Sequence, residues 1–337
     1  MYAVTGITGK VGAAVARSLL SADQHVRAVV RDRSKGAAWA ELGCEVAVAD
    51  FANAGALTKA FEGTEGVFAM LPPVFDPAPG FPEARKFIAS MYTALAAAKP
   101  KKVVALSTIG ADAPNPNLLN VLGLLEDALK QLPVPVAFLR AAWFMENAAW
   151  DIASAREGSI QSYLQPLDRP VPMIATDDVG RTAAALLLEH WEGRRVVELE
   201  GAQRVSPNAL ADAFARVLAR PVRAEAVPHD RWESIFRAQG MKNPTPRMQM
   251  IDGFNAGWID FPNRGANARK GSISIDQAIA TMIQRAPTRS QFSSSEDKFV
   301  QAFTVIDRQH DGRDAPLRQM ERGETRQIRL LFLVRKE

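Results

Sequence analysis

Short apolar runs alternate with amphipathic stretches along the first 147 residues. The pattern predicts strands at 2–5, 26–30, 45–48, 67–71, 103–106 and 134–139, and helices at 11–20, 36–42, 54–61, 82–98 and 118–132. Runs of Val, Ala and Leu without polar alternation are typical of strands buried on both faces. Their alternation with helices predicts an α/β fold, a doubly wound, Rossmann-like parallel sheet, over residues 1–147.

The alternation becomes less regular after residue 147. Helices are predicted at 179–190, 207–218, 229–239 and 276–283, and strands at 196–199 and 222–227. We therefore expect a smaller α+β lobe over 148–286, with the substrate bound between the two lobes. Residues 287–337 have few periodic apolar positions and are predicted to form a disordered tail, although the apolar run 328–334 could instead add a strand elsewhere.

A glycine-rich turn joins the first predicted strand to the first helix. Gly6 permits a tight turn, Gly9 lets a diphosphate approach the backbone, and Gly12 lets the helix pack closely. The helix N-terminus adds unpaired N–H groups that attract phosphate. An ordinary turn is the alternative, but the strand–turn–helix context favours nucleotide binding. The predicted phosphate-binding residues are Gly6, Thr8, Gly9, Lys10, Val11 and Gly12.

Basic residues follow the second strand, where an NAD-binding enzyme usually places an acidic residue for the ribose hydroxyls. Arg31, Arg33 and Lys35 stand here instead. A guanidinium binds a 2′-phosphate bidentately, so we expect NADP as the cofactor in preference to NAD. The alternatives are a solvated polar loop, or a ribose contact through Asp32.

Further candidate residues stand at the ends of the later strands, where ligands bind in such sheets. Asp50 could reach the adenine edge or cap the following helix. Leu71 and Pro72 would lie along the cofactor, and the proline-rich segment Phe75–Phe81 after them is a candidate flap. Ser107 is assigned to the cofactor and Thr108 to the substrate, with simple turn chemistry as the alternative for both.

These segments together resemble the NmrA-like family of atypical short-chain dehydrogenases/reductases. The resemblance rests on 6–12, 31–35, 49–50, 106–110, 139–147, 176–181, 237–241 and 253–255, and it extends over about residues 1–285. It implies an NADP-binding protein that either reduces quinones and related acceptors or senses the nucleotide as a regulator. Together with the Met- and aromatic-rich segment 241–261, it gives Thr108, Phe144, Asn147, Met250 and Phe254 as the predicted acceptor residues.

The Tyr-x-x-x-Lys dyad of most short-chain reductases is absent from this sequence. Tyr2, Tyr92 and Tyr163 are followed four residues later by Gly, Ala and Leu. Glu126 and Lys130 share a helix face, a spacing typical of a solvated pair. Two hypotheses remain: hydride transfer to an acceptor that takes its proton from water, and a non-catalytic NADP-sensing protein that binds a protein partner. The catalytic residues are therefore unknown from the sequence.

Composition narrows the possible partners. The 337 residues carry 41 Lys and Arg against 37 Asp and Glu, interspersed rather than in blocks, so we expect no direct binding of nucleic acid. A single cysteine, Cys44, and four scattered histidines predict no disulfide and no metal site. No apolar run approaches the roughly 20 residues of a membrane span. We expect a cytoplasmic protein; nothing in the sequence indicates its oligomeric state.

Overall fold

The computed structural model describes residues 1–285. The strands are β1 (Tyr2–Val4), β2 (Val26–Val30), β3 (Glu45–Val48), β4 (Gly66–Ala69), β5 (Val103–Thr108), β6 (Val136–Ala141), β7 (Trp143–Phe144), β8 (Ser159–Ser162), β9 (Met173–Ile174), β10 (Arg194–Glu200), β11 (Arg223–Ala226) and β12 (Arg269–Lys270). The helices are α1 (Lys10–Leu20), α2 (Ala37–Glu41), α3 (Ala54–Phe61), α4 (Pro82–Ala98), α5 (Asn120–Leu129), α6 (Ile152–Glu157), α7 (Thr176–Leu188), α8 (Pro207–Leu218), α9 (Trp232–Ala238), α10 (Thr245–Ala256) and α11 (Ile275–Arg285). Short 3-10 helices are formed by Arg33–Gly36, Met145–Asp151, His229–Arg231 and Pro262–Gly265.

Within these residues, eight strands form one parallel sheet in the order β12-β10-β6-β5-β4-β1-β2-β3. The chain winds outward in one direction through β1, β2 and β3, and in the other from β4 onward. The reversal between β1 and β4 opens a crevice at the carboxyl ends of the strands, the usual ligand site of such sheets. The predicted α/β class, with a doubly wound parallel sheet, is confirmed.

Helices cover both faces of the sheet. Apolar residues of α1 and α7 pack on one face with β1, β2 and β6, and those of α3, α4 and α5 pack on the other. Helices α1 and α7 cross closely: a Cβ added to Gly180 would lie 2.3 Å from the Cβ of Ala14. Gly180 therefore permits a helix contact that no larger residue would allow.

One strand lies elsewhere than the sequence indicated. The sequence placed 196–199 in the smaller lobe, whereas β10 pairs with β6 along six residues of each strand, from Arg194↔Val136 to Leu199↔Ala141. The preceding helix α7 likewise covers the main sheet. An apolar strand shows in its sequence that it is buried, but not which neighbour buries it.

Apart from α7, β10 and the edge strand β12, the second-half elements form a smaller group beside the carboxyl ends of the sheet. Strands β8 and β11 pair in parallel, and α8 packs on both. Ser206 caps α8 as the Ser-Pro sequence predicts, because its hydroxyl accepts from the Ala209 N–H at 3.1 Å. Residues 1–285 form one compact unit, so the boundary at residue 147 between two lobes stays a prediction.

Helix α5 begins two residues later than predicted. Asn117 Oδ1 accepts from the Leu119 N–H at 2.7 Å, and Asn120 Oδ1 accepts from the Asn117 N–H at 2.8 Å. These side-chain bonds hold a turn that competes with the first helical turn.

No helix among residues 1–285 is both long and apolar enough to cross a membrane. The predicted tail 287–337 lies outside the described residues.

Candidate functional site

The glycine turn lies at the switch point between β1 and β4. Gly6 has a φ of +64°, which suits glycine, and its carbonyl accepts from the Gly9 N–H at 2.9 Å. A Cβ on Gly12 would lie 2.3 Å from that same carbonyl, so the third glycine fits the helix against the turn itself. The turn thereby brings the start of α1 directly over the end of β1.

The tip of this turn is open to solvent. Thr8, Gly9 and Lys10 are exposed, whereas Val11 is buried and anchors α1 in the core. Gly9 is the N-cap residue of α1 and supplies no capping side chain. The N–H groups of the first helical turn are therefore available to an anion.

Three cations surround the end of β2. Arg31, Arg33 and Lys35 are exposed, and none forms an ion pair with a carboxylate among residues 1–285. Asp32 between them is occupied locally: its Oδ1 accepts from the Ser34 N–H at 2.9 Å, and that hydrogen bond lowers the pKa of the carboxyl. The end of β2 thus presents three cations that are not held in ion pairs, with the Asp32 carboxylate near Lys35.

Asp50, at the end of β3, does not cap α3. Its Oδ1 accepts from the Ala52 N–H at 2.7 Å, and Asn53 caps the helix by accepting from the Ala56 N–H at 3.0 Å. The capping alternative is therefore wrong. Asp50 is exposed after the edge strand β3, and its contact with adenine stays a prediction.

The segment after β4 reaches across to the second half of the chain. Leu71 is buried and Pro72 half-buried; beyond them lies the flap, Phe75–Phe81. Asp76 in the flap accepts from the N–H groups of Lys242 at 2.8 Å and Asn243 at 2.7 Å. These bonds fasten the flap to the loop between α9 and α10.

A buried ionic network, which the sequence did not indicate, lies under the end of β5. Glu126 on α5 is 1% exposed and accepts from Arg140 Nε at 2.8 Å and Arg140 Nη2 at 2.7 Å. Arg140 also donates to Asp112 at 2.6 Å, and these carboxylates raise the pKa of a guanidinium that burial alone would lower. The network joins α5, β6 and the loop after β5.

Ser107 belongs to this network. It is 3% exposed, and its hydroxyl donates to Glu126 Oε1 at 2.6 Å. Its proton is therefore directed into the protein, and any contact with a cofactor would use the oxygen as an acceptor. Thr108, the next residue on the strand, faces the opposite side of the sheet and is half-buried.

The expectation that Glu126 and Lys130 form a solvated pair is wrong. Lys130 Nζ lies 4.0 Å from Glu126, farther than Arg140, and the Glu126 carboxylate is buried. The available signal was Arg140 itself, a charged residue inside the apolar run of β6. A buried charge needs a partner of opposite sign, and Glu126 is on the helix that covers this face.

The predicted acceptor residues fall into two groups. Thr108 is the last residue of β5, and Phe144 and Asn147 follow β6. Phe144 is half-buried, and Asn147 is exposed with no side-chain hydrogen bond among the described residues. Met250 and Phe254 lie on α10. Phe254 is 4% exposed and packs edge-on against Trp143, with ring centroids 5.2 Å apart. Phe254 is thus largely a packing residue, and the acceptor assignments stay predictions.

Two of the segments that carry the family resemblance, 139–147 and 176–181, hold neighbouring elements together. Glu146 accepts from the N–H and hydroxyl of Thr176, so the 139–147 segment caps α7. Asp178 is buried and accepts from the N–H groups of Ser272 and Ile273 at 3.1 and 2.9 Å. Both carboxylates act on backbone donors, which explains why acidic residues stand at these positions.

Comparison with known proteins places the chain in a family. The model of the NmrA-like family matches residues 2–260. An NAD(P)H azoreductase from Xenophilus azovorans is 26% identical over 242 residues, which cover 72% of this chain and 82% of the relative. A crystal structure of an NADPH-dependent quinone oxidoreductase from Escherichia coli in complex with NADPH superposes with a TM-score of 0.71 at 21% identity, covering 84% of this chain and 100% of that one. The triphenylmethane reductase of Citrobacter sp., in complex with NADP(H), gives a TM-score of 0.70 at the same identity and coverage.

The two structural likenesses show a shared fold. The family match extends over most of the chain, including the glycine turn, the basic end of β2 and the α7 cap. The chain belongs to the NmrA-like family.

Proposed function

We propose that this chain is an NADPH-dependent oxidoreductase that reduces a quinone-like or other conjugated acceptor. When bound, NADPH would supply a hydride from its nicotinamide ring. The similar proteins are named for azo, quinone and triphenylmethane substrates, which are all conjugated. That common feature supports a conjugated acceptor rather than a simple carbonyl.

The observation that carries the proposal is the group of three exposed cations at the end of β2, none of which is held in an ion pair. Arg31, Arg33 and Lys35 form no ion pair among the described residues, and the Asp32 carboxylate accepts from the Ser34 N–H. A 2′-phosphate would supply an ion-pair partner for these cations, and a guanidinium can bind it with two parallel hydrogen bonds. This arrangement supports NADP over NAD.

The diphosphate would lie at the glycine turn. The exposed tip formed by Thr8, Gly9 and Lys10 leaves room beside the backbone, and the first turn of α1 offers free N–H donors. Leu71 and Pro72 would then line the path toward the end of β5. In this direction the reactive end of the cofactor would lie near Ser107 and Thr108, at the carboxyl edge of the sheet.

The acceptor would lie between that edge and α10. Phe144 offers a ring face, and Asn147 an amide free to hydrogen-bond a carbonyl or azo nitrogen. A quinone or azo acceptor can take its proton from water after hydride arrives, so a Tyr-x-x-x-Lys dyad is not required. The residues of the site would therefore bind and orient the acceptor, and water would supply the proton that completes the reduction.

The test is NADPH consumption by the purified full-length protein with quinones, azo compounds and simple ketones. We expect turnover of the conjugated acceptors, little turnover of ketones, and a preference for NADPH over NADH. Tight NADP binding without turnover of any acceptor would contradict the enzyme and support the nucleotide-sensing hypothesis. Failure to bind either nucleotide would overturn both.

A further inference from the structure

Arg247, in the first turn of α10, lies at the edge of the sheet where ligands bind. Pro246 precedes Arg247 in the chain, and its carbonyl accepts at 2.9 Å from the N–H of Leu118, in the loop after β5. The flap after β4 reaches the loop just before α10 through Asp76, whose carboxylate accepts from the Asn243 N–H at 2.7 Å. The first turn of α10 is thus held against loops from two adjacent central strands, beside the expected position of the acceptor.

The guanidinium of Arg247 has aromatic and sulfur neighbours in place of a carboxylate. It lies over the ring of Phe236, 4.4 Å from the centroid, and Nη1 contacts Met241 Sδ at 3.7 Å. The Tyr163 ring packs on Phe236 with centroids 5.0 Å apart. Arg247 forms no ion pair with any carboxylate of residues 1–285. A thioether and a ring face are weak partners for a guanidinium, which has five donors.

Other desolvated arginines of the molecule are compensated differently. Carboxylates raise the pKa of Arg140 and of Arg204, although both are partly removed from water. Burial instead lowers the pKa of Arg247. Holding a charge in a partly desolvated position costs free energy unless an opposite charge neutralises it. Unlike Arg140 and Arg204, Arg247 has no such partner among the described residues, so it is able to bind an anion.

We propose that Arg247 binds an oxyanion substituent of the acceptor, a carboxylate, sulfonate or phosphate carried on a flat apolar body. Tyr163 and Met241, both half-buried, provide apolar surface beside the charge, and the planar guanidinium matches an oxyanion with two parallel hydrogen bonds. The inference rests on the proposed reductase function and specifies its substrate class. It makes Arg247 a specificity residue that selects anionic over neutral acceptors.

A matched pair of acceptors tests this directly: 1,4-naphthoquinone and its 2-sulfonate. Arg247→Gln should raise the KM for the sulfonate, relative to the KM for the neutral quinone, at least tenfold over the wild-type ratio. The KM ratio of Arg247→Lys should lie between those of the wild type and Arg247→Gln, because lysine keeps the positive charge but cannot form two parallel hydrogen bonds as a guanidinium does. Comparing ratios removes the difference in reactivity between the two quinones.

The control variant is Arg237→Gln on α9, which removes an exposed charge paired with Glu233. If attraction by overall charge caused the preference, this variant would change the ratio as much as Arg247→Gln, and the proposal would be overturned. An unchanged ratio in Arg247→Gln would overturn it as well. A change confined to Arg247 supports the assignment.

Equilibrium binding separates this proposal from the proposed function. Naphthalene-2-sulfonate cannot accept a hydride, and its affinity for the NADP⁺-saturated protein can be measured by calorimetry. We expect binding that Arg247→Gln weakens at least tenfold and Arg237→Gln leaves intact. If no quinone is turned over yet this dependence is seen, the anion site stands and the reductase function fails. Equal affinity of wild type and Arg247→Gln would reject the anion site whatever the enzyme does.

Discussion

At the end of β2, charge alone distinguishes the two nicotinamide cofactors. Arg31 is the first of the three cations there that lack an internal carboxylate partner. Arg31→Ala should weaken NADP binding by about 1.5–3 kcal/mol, the contribution of a hydrogen bond to a charged group, and should spare NAD. Titrations of both nucleotides measure this, with the exposed Lys59→Ala as a control for net charge. Equal weakening of both nucleotides would mean that Arg31 does not bind the 2′-phosphate.

Asp151 makes the stability of the protein depend on pH. Its carboxylate has no hydrogen bond or ion pair among residues 1–285, and burial raises its pKa to about 7. The unfolded chain releases this proton near pH 4, so the folded state binds more protons between pH 4 and 7, and stability falls as pH rises through that interval. Above pH 7 the full cost of ionising the buried carboxyl applies, on the order of 4 kcal/mol.

Asp151→Asn should remove this dependence. The variant should match the wild type near pH 4 and be more stable above pH 7, as judged by urea unfolding across the interval. The exposed Asp230→Asn, on the 3-10 helix before α9, provides the comparison and should leave the wild-type profile unchanged. Parallel profiles for the wild type and Asp151→Asn would contradict the assignment.

Among the elements, α5 and β6 are joined by charge inside an otherwise apolar layer. Glu126→Leu would leave the Arg140 guanidinium buried with Asp112 as its one carboxylate partner. We expect a loss of about 3–5 kcal/mol in the free energy of unfolding, as for other broken buried pairs. Chemical denaturation measures it.

Two further variants check the cause of that loss. Asp127→Leu changes the adjacent carboxylate, which is 74% exposed, and should alter stability by about 0.5 kcal/mol or less. Glu126→Leu combined with Arg140→Met should recover most of the stability, because no buried charge then remains unpaired. A single Glu126→Leu variant as stable as the wild type would show that the network contributes nothing to folding.

The flap is a second connection between elements, and it bears on cofactor exchange. Asp76→Ala removes both acceptors that fasten the flap to the loop before α10. If the flap lies along the cofactor, NADPH should dissociate at least several-fold faster, because the covering segment opens more often. Stopped-flow fluorescence measures the release. Glu83→Ala, in the first turn of α4, is the matched control, and identical rates in both variants would place the flap away from the cofactor.

At the scale of the whole molecule, residues 1–285 form a unit that is compact by itself. Helix α11 packs on α8 and on the 145–151 segment, and its Asp276 binds Arg216 on α8. We therefore expect a chain ending at Ala286 to keep its fold and its NADP affinity. Melting curves and nucleotide titrations of both chains test this. A marked drop in either quantity on truncation would show that 287–337 contribute to the working structure.

Local pattern was sufficient for most elements and for the glycine turn and basic run on which the predicted phosphate contacts rest. The strand–glycine–helix order at residues 2–20, the basic run at 31–35 and the Ser206-Pro207 helix start each depend on a few adjacent residues. Backbone conformation, burial periodicity and capping act over one or two turns of chain, so they can be read from the sequence. Family membership could be inferred because several such segments occur together.

Tertiary structure decided the contacts between distant segments. Glu126 was expected on a solvated face and is buried against Arg140; Asp76 meets the loop before α10 more than 160 residues along the chain. Strand β10 joins the main sheet beside β6. Position 180 must be glycine because a Cβ there would collide with Ala14 on α1. Periodicity reports that a residue faces the interior, but the partner it meets there depends on how all the elements pack, and no local pattern encodes that.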